Sequence, residues 1–212
     1  MTRDERRARE HIVRWGERLH IRGYAPGSSG NIALRVPSGT LVTPTNSCLG
    51  FLDPQALALV AADGTHLDGL PPSKEAFLHL AMLAARPGDT AVVHLHSTHA
   101  VGVSCLQHGD EGPLLEPLTA YSVMKVGALP LVPYYPPGDR GLADAVAGLA
   151  AGHPAQLLAN HGPVVAGADL NAAVFAIEEL EEAARLMFLT RGLATRPLDA
   201  DQLAELNRRF PS

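Results

Sequence analysis

Two histidines stand one residue apart in the run Ala91-Val92-Val93-His94-Leu95-His96-Ser97. A strand has a side-chain period of two, so His94 and His96 would leave one face while Val93 and Leu95 point the other way, into a core. Two imidazoles projecting side by side from a rigid strand are half of a metal site. A pair of surface histidines, or of hydrogen-bonded core histidines, fits the bare pattern equally well. The other half can be sought in a carboxylate just upstream, Glu75, and in a histidine far downstream, His161.

The elements that must position these groups can be read from periodicity and turn chemistry. Glu75 follows Pro71-Pro72-Ser73 and lies in the first turn of a helix expected over 74–85, with Phe77, Leu80, Ala81 and Ala84 on its buried face. A carboxylate there also offsets the helix dipole at a surface, so Glu75 alone is ambiguous. After the two-histidine strand, residues 97–106 predict a helix carrying His99 and Cys105, both read as structural. His161 sits in Asn160-His161-Gly162, after a buried strand over 156–159 and before an extended run over 163–166.

The flanking chain reads as a layered α/β or α+β arrangement, with strand runs separated by helices. Ile12, Trp15 and Leu19 mark a helix over 4–22, ended by Gly23. The charges among residues 3–10 read as its solvated face. Pro26-Gly27-Ser28-Ser29-Gly30-Asn31 is a tight polar loop feeding a strand with Ile32, Leu34 and Val36. Such a loop can offer backbone N–H groups to an anion, or be a plain turn. Leu41-Val42-Thr43 is a second strand, followed by the polar loop Pro44-Thr45-Asn46-Ser47. Asp53-Pro54 has the look of a helix start, and Asp63-Gly64 of a hairpin turn. Residues 111–117 read as irregular, and 121–126 and 129–133 as extended. A helix is expected from about Gly138 to Gly152. Asp169 caps the longest helix, to about Arg191, whose Glu178, Glu179, Glu181 and Glu182 read as a solvated or intersubunit face. A last helix covers 201–209.

Composition narrows the function classes. With 212 residues, 46% hydrophobic and 18% charged, the chain reads as one globular domain over 1–212. A net charge of −5, with no basic run, speaks against nucleic acid or an anionic membrane as partner. Two cysteines, Cys48 and Cys105, make no disulfide framework. No apolar leader or spanning run is seen, so a cytoplasmic location is expected.

Taken together, His94, His96 and His161 would suit a dication such as Zn2+ and leave a position open for substrate. A carboxylate beside it can bind the resting ion, then let go and act as a base. A Lewis acid next to a general base suits reactions that make an enediolate from a hydroxy-ketone.

Five segments carry a resemblance: Gly30-Asn31-Ile32, Thr43-Pro44-Thr45, Ser73-Lys74-Glu75, His94-Leu95-His96-Ser97 and Asn160-His161-Gly162. In this order the chain resembles the class II aldolase/adducin-head family, which includes L-fuculose-phosphate aldolase and L-ribulose-5-phosphate 4-epimerase. The resemblance implies a three-layer α/β/α domain with a central, mostly antiparallel sheet. It implies Zn2+, or another divalent metal such as Mn2+ or Co2+, on His94, His96 and His161. It implies Glu75 as catalytic acid/base and as a ligand of the resting metal, and a phosphate pocket from Gly30, Asn31, Thr45, Asn46, Ser73 and Lys74. Where many relatives have glycine and a second serine, this chain has Asn46 and Lys74. A lysine still suits a phosphate or a carboxylate as a point charge.

Longer runs, Thr43 through Pro54, His94 through His99, Val132 through Asp139 and Ala159 through Gly167, resemble the group that decarboxylates 3-oxo-tetronate 4-phosphates to dihydroxyacetone phosphate and CO2. A sugar-phosphate aldolase or an epimerase is the alternative, since aldol cleavage passes through the same enediolate. A non-catalytic module like the adducin head would be expected to have a broken metal site. The resemblance further implies a homotetramer with sites between subunits, and Tyr121 reaching the neighbouring subunit's site.

Overall fold

The computed structural model describes residues 2–108, 113–136 and 138–210. The start of the irregular run at Glu111, and Pro137 in the run leading to Asp139, lie outside the described residues. In chain order the elements are α1 (Arg3–Ile21), β1 (Asn31–Val36), β2 (Gly39–Val42), β3 (Ala58–Val60), β4 (His66–Asp68), α2 (Ala76–Ala85), β5 (Ala91–His94), α3 (Thr98–Ser104), α4 (Ala120–Lys125), β6 (Leu131–Val132), α5 (Gly141–Ala150), β7 (Ala155–Leu158), β8 (Gly162–Gly167), α6 (Leu170–Leu189) and α7 (Ala200–Arg209). The strands form one eight-stranded sheet in the order β4-β3-β2-β1-β5-β8-β7-β6. All neighbours are antiparallel except β6 and β7.

Alternation along the strands separates two cores, one on each face of the sheet. Ala91 and Val93 of β5 pack with Ile12 and Leu19 of α1, Val103 of α3 and Ile177 and Leu180 of α6. Val92 of the same strand packs the other way, with Leu78 and Met82 of α2 and Leu142 and Val146 of α5. The result is the expected three-layer α/β/α arrangement. Leu95, one step past β5, still packs into the first core, as alternation predicts.

Helix ends follow their capping residues. The end of α1 is a Schellman motif: Gly23 N–H donates to the His20 carbonyl and Tyr24 N–H to the Leu19 carbonyl, with Gly23 at φ +79°. Asp169 caps α6, its side chain accepting from Ala172 N–H at 2.7 Å.

Several expectations are corrected. Asp53 starts no helix. Its side chain accepts from Gln55 N–H and its carbonyl from Ala56 N–H, a single turn, because the chain must straighten into β3 within a few residues. Residues 121–126 are helical rather than extended: Thr119 caps α4 by accepting from Ser122 N–H. Among the described residues no strand pairs with this short run. The buried face of α2 is Leu78, His79, Met82 and Leu83, one step round from the expected stripe, because the helix packs between the sheet and α5.

Two stretches read as solvated contain buried charges. Arg9 is 2% exposed and pairs with Glu5 at 3.0 Å. Its guanidinium also donates to the Pro54 and Leu57 carbonyls, which cross over α1. In α6, Glu178 pairs with Arg22 at 2.8 Å, and Glu181 is 3% exposed. Glu181 accepts from the N–H groups of His99 and Ala100 and from the His99 ring. Ser97 makes no side-chain cap, so a carboxylate from another helix satisfies the start of α3.

Candidate metal centre and active site

His94 ends β5 at the centre of the sheet, opposite Asn31 of β1 and Val164 of β8. β5 stops there, so His96 lies just beyond the ladder rather than within it. The β7–β8 turn brings His161 to the same point: Asn160 takes a left-handed conformation (φ +56°) and reverses the chain. Two glycines bracket the segment. A Cβ on Gly162 would stand 2.4 Å from the Leu95 carbonyl oxygen, and one on Gly30 3.0 Å from that of His94.

The three imidazoles converge. His94 Nε2 is 3.1 Å from His96 Nε2 and 3.3 Å from His161 Nε2. His94 Nδ1–H donates to the Pro163 carbonyl at 2.8 Å, so its Nε2 carries a lone pair. That lone pair is aimed at two further ring nitrogens and completely buried, an arrangement that a cation resolves. Nitrogens bound to one tetrahedral zinc at about 2.0–2.1 Å stand about 3.4 Å apart, close to the spacing seen. The donor set therefore fits a divalent metal.

Glu75 closes the fourth side. It is the N-cap of α2 rather than a first-turn residue, and makes no capping hydrogen bond with its side chain. Its Oε1 is 3.2 Å from His161 Nε2, its Oε2 is 3.7 Å from His94 Nε2, and Asn31 Nδ2 donates to Oε2 at 2.7 Å. Burial alone would raise the carboxyl's pKa. Hydrogen bonds from His161 and Asn31, with the electrostatic pull of the adjoining His94, outweigh it and hold the group well below the usual carboxylate range. Burial pushes His94 down to about 3, and burial with the neighbouring His161 lowers His96. An ionised carboxylate beside neutral imidazoles is the state a metal requires.

Of the remaining predicted residues, Gly30 and Asn31 adjoin His94, and Ser73 adjoins Glu75. Ser73 N–H donates to the Thr43 carbonyl and Thr45 N–H to the Pro71 carbonyl, strapping the 44–47 loop to the segment that leads into Glu75. Ser73 Oγ accepts from Glu75 N–H at 3.2 Å. Asn46 is left-handed (φ +55°), a conformation glycine adopts without strain, in keeping with its expected glycine counterpart. Lys74 is exposed and lines a surface depression with Phe77, Leu80 and Arg140. Tyr121 is exposed on α4, and His99, left out of the site, is held by Glu181. One residue escaped the sequence reading. His79, fully buried one turn beyond Glu75, donates from Nε2 to Asn31 Oδ1. The signal was available, a histidine inside the apolar run Phe77-Leu78-His79-Leu80-Ala81.

The sheet and its helical layers are those of one family. Residues 10–188 match the Class II Aldolase and Adducin N-terminal domain, and the chain belongs to that family. A 3-oxo-tetronate 4-phosphate decarboxylase from Escherichia coli K12 is 51% identical over 203 residues, covering 95% of this chain and 96% of that one. The crystal structure of YgbL from Escherichia coli superposes with a TM-score of 0.93 at 49% identity, covering 96% of this chain and 99% of that one. An L-fuculose phosphate aldolase from Haemophilus influenzae is more distant, 33% identical over 89% of this chain and 86% of its own length.

Proposed function

We propose that this chain is a carbon–carbon lyase that decarboxylates a 3-oxo-tetronate 4-phosphate to dihydroxyacetone phosphate and CO2. The supporting observation is the convergence of three imidazole nitrogens with the Glu75 carboxylate, in a chain half identical to a protein named for that reaction. His94, His96 and His161 would hold Zn2+, or another divalent ion such as Mn2+ or Co2+. When bound, the ion supplies positive charge to the oxygens of the hydroxy-ketone.

The substrate is a β-keto acid, so the C1–C2 bond breaks with its electron pair passing toward the C3 ketone. CO2 leaves and an enediolate remains. With Glu75 ionised at rest, a water that its carboxylate holds delivers a proton to C2, which completes dihydroxyacetone phosphate. Asn31, bonded to Oε2, keeps the carboxylate turned toward the histidines. Gly30, Asn31, Thr45, Asn46, Ser73 and Lys74 form the phosphate pocket. Its supports are the strapped 44–47 and 71–73 segments beside Glu75 and the positive charge of Lys74. Tyr121, exposed on α4, is assigned to the site of a neighbouring subunit in a homotetramer. No described helix is long and apolar enough to cross a membrane, which suits a cytoplasmic enzyme acting on a phosphorylated metabolite.

The test is a product assay on zinc-reconstituted protein, with the substrate made in place by a kinase. Release of CO2 and dihydroxyacetone phosphate, lost with chelator, is expected. No CO2, but dihydroxyacetone phosphate and an aldehyde from a sugar 1-phosphate, would move the chain to the aldolases.

A further inference from the structure

His79 lies outside the cluster of His94, His96 and His161, yet it is joined to it by a hydrogen-bonded relay. It lies four residues after Glu75, wholly buried on α2. Its Nε2 meets Asn31 Oδ1, and Asn31 Nδ2 meets Glu75 Oε2 at 2.7 Å. The polarity of this chain of bonds is forced. Asn31 turns its NH2 to Glu75 Oε2 and its oxygen, which only accepts, to His79. A neutral imidazole then has to carry its single proton on Nε2. The other nitrogen, Nδ1, is left buried with no partner, as observed.

An unpartnered ring nitrogen in an apolar core disfavours histidine at this position. A phenylalanine would fill a similar space among Leu78, Met82 and Leu83 without that cost. Packing therefore gives no reason for the ring, whereas the relay does. Asn31 lies opposite His94 in the β1–β5 ladder, so its backbone is fixed by the sheet, while its amide is oriented by the bonds it makes at each end. The bond from His79 fixes the far end of that amide. It leaves Oε2 anchored and Oε1 facing His161 at 3.2 Å.

We propose that His79 is a positioning residue, acting through Asn31 to hold the Glu75 carboxylate in its working orientation. The proposal rests on Glu75 acting in the reaction as set out above. Losing such outer support commonly reduces activity about ten- to hundredfold.

The test uses zinc-loaded protein and the variants His79→Phe and His79→Gln, each also in a Glu75→Gln background. His79→Phe is expected to keep its metal and its melting temperature, with kcat down about ten- to hundredfold and KM within about twofold. His79→Gln, which can again donate to Asn31, should recover most of that loss. With Glu75→Gln already present, His79→Phe should remove nothing more. A His79→Phe enzyme with near-normal kcat, or one losing as much in the Glu75→Gln background, overturns the proposal. A long-range 1H–15N spectrum of the unmodified protein, with His79 assigned by its loss in His79→Gln, adds a test that needs no turnover. The Nε2–H tautomer is expected, and an Nδ1–H tautomer would sink the relay. If the unmodified enzyme turns over neither keto acid nor sugar phosphate, the functional reading fails, while the tautomer still decides the relay.

Discussion

His94 and His161 place their Nε2 atoms 3.3 Å apart although 67 positions separate them in the chain. The two strand ends that carry them are joined by the β5–β8 ladder, and His96 adds a third nitrogen 3.1 Å from His94. Ion removal should therefore be felt as lost stability as well as lost turnover, since ligands that converge only in the folded state link binding to folding. His96→Ala should remain folded, because His96 lies beyond the end of β5 and is only partly buried. Its metal content after dialysis should fall well below one per chain, with activity at background. An unfolded variant, by circular dichroism, would instead make the metal a structural one.

Glu75→Gln tests the role of the carboxylate in proton delivery. The amide keeps the shape of the carboxyl, so a folded and metal-loaded protein is expected, with kcat lower by about a hundredfold or more. Near-normal turnover would remove Glu75 from the role.

Lys74 is exposed and pairs with no carboxylate among the described residues, so replacing it should cost little stability. Lys74→Ala should raise KM about five- to tenfold, and weaken inhibition by inorganic phosphate to match, with kcat nearly kept. Unchanged values of both would take Lys74 out of the phosphate pocket.

Burial pushes His79 down to about 4, with the nearby Glu75 charge opposing. The unfolded chain then binds a proton that the folded chain refuses between about pH 6.5 and pH 4. Stability is unaffected by this group above that window. It falls as pH drops through it, by up to about 3 kcal/mol at the acid end. Urea melts from pH 7 to pH 4 should show a shallower loss for His79→Phe than for the unmodified protein, and parallel curves would contradict the assignment.

Much of the architecture was legible because local rules and tertiary packing agree. Alternation through Ala91, Val92, Val93 and His94 sorts these residues to opposite faces, and the sheet honours it. Gly23 and Asp169 end and begin helices as their chemistry dictates. Disagreement arises where a local signal is common to two structures. An Asp-Pro pair suits a helix start or a bare turn, and only the approach of β3 selects the turn at Asp53. The apolar residues at 121–126 suit strand or helix, and the Thr119 cap, with no strand alongside, selects α4. Charges hide in the same way. The carbonyls over α1 bury Arg9, and the bare start of α3 buries Glu181, neither of which is visible from the charge pattern of its own helix.

The sequence by itself determined the side-chain chemistry of the site and the order of its segments. Two histidines at strand spacing, a carboxylate before a helix and a histidine in an Asn-His-Gly turn specify donors that need only be brought together. Tertiary structure alone decided which atoms meet. Sheet order places β1 and β8 on either side of β5, so Asn31 and His161 arrive beside His94 from positions far away in the chain. It alone decided that Asn31 joins Glu75 to His79, because hydrogen bonds form between neighbours in space and the sequence records only neighbours along the chain.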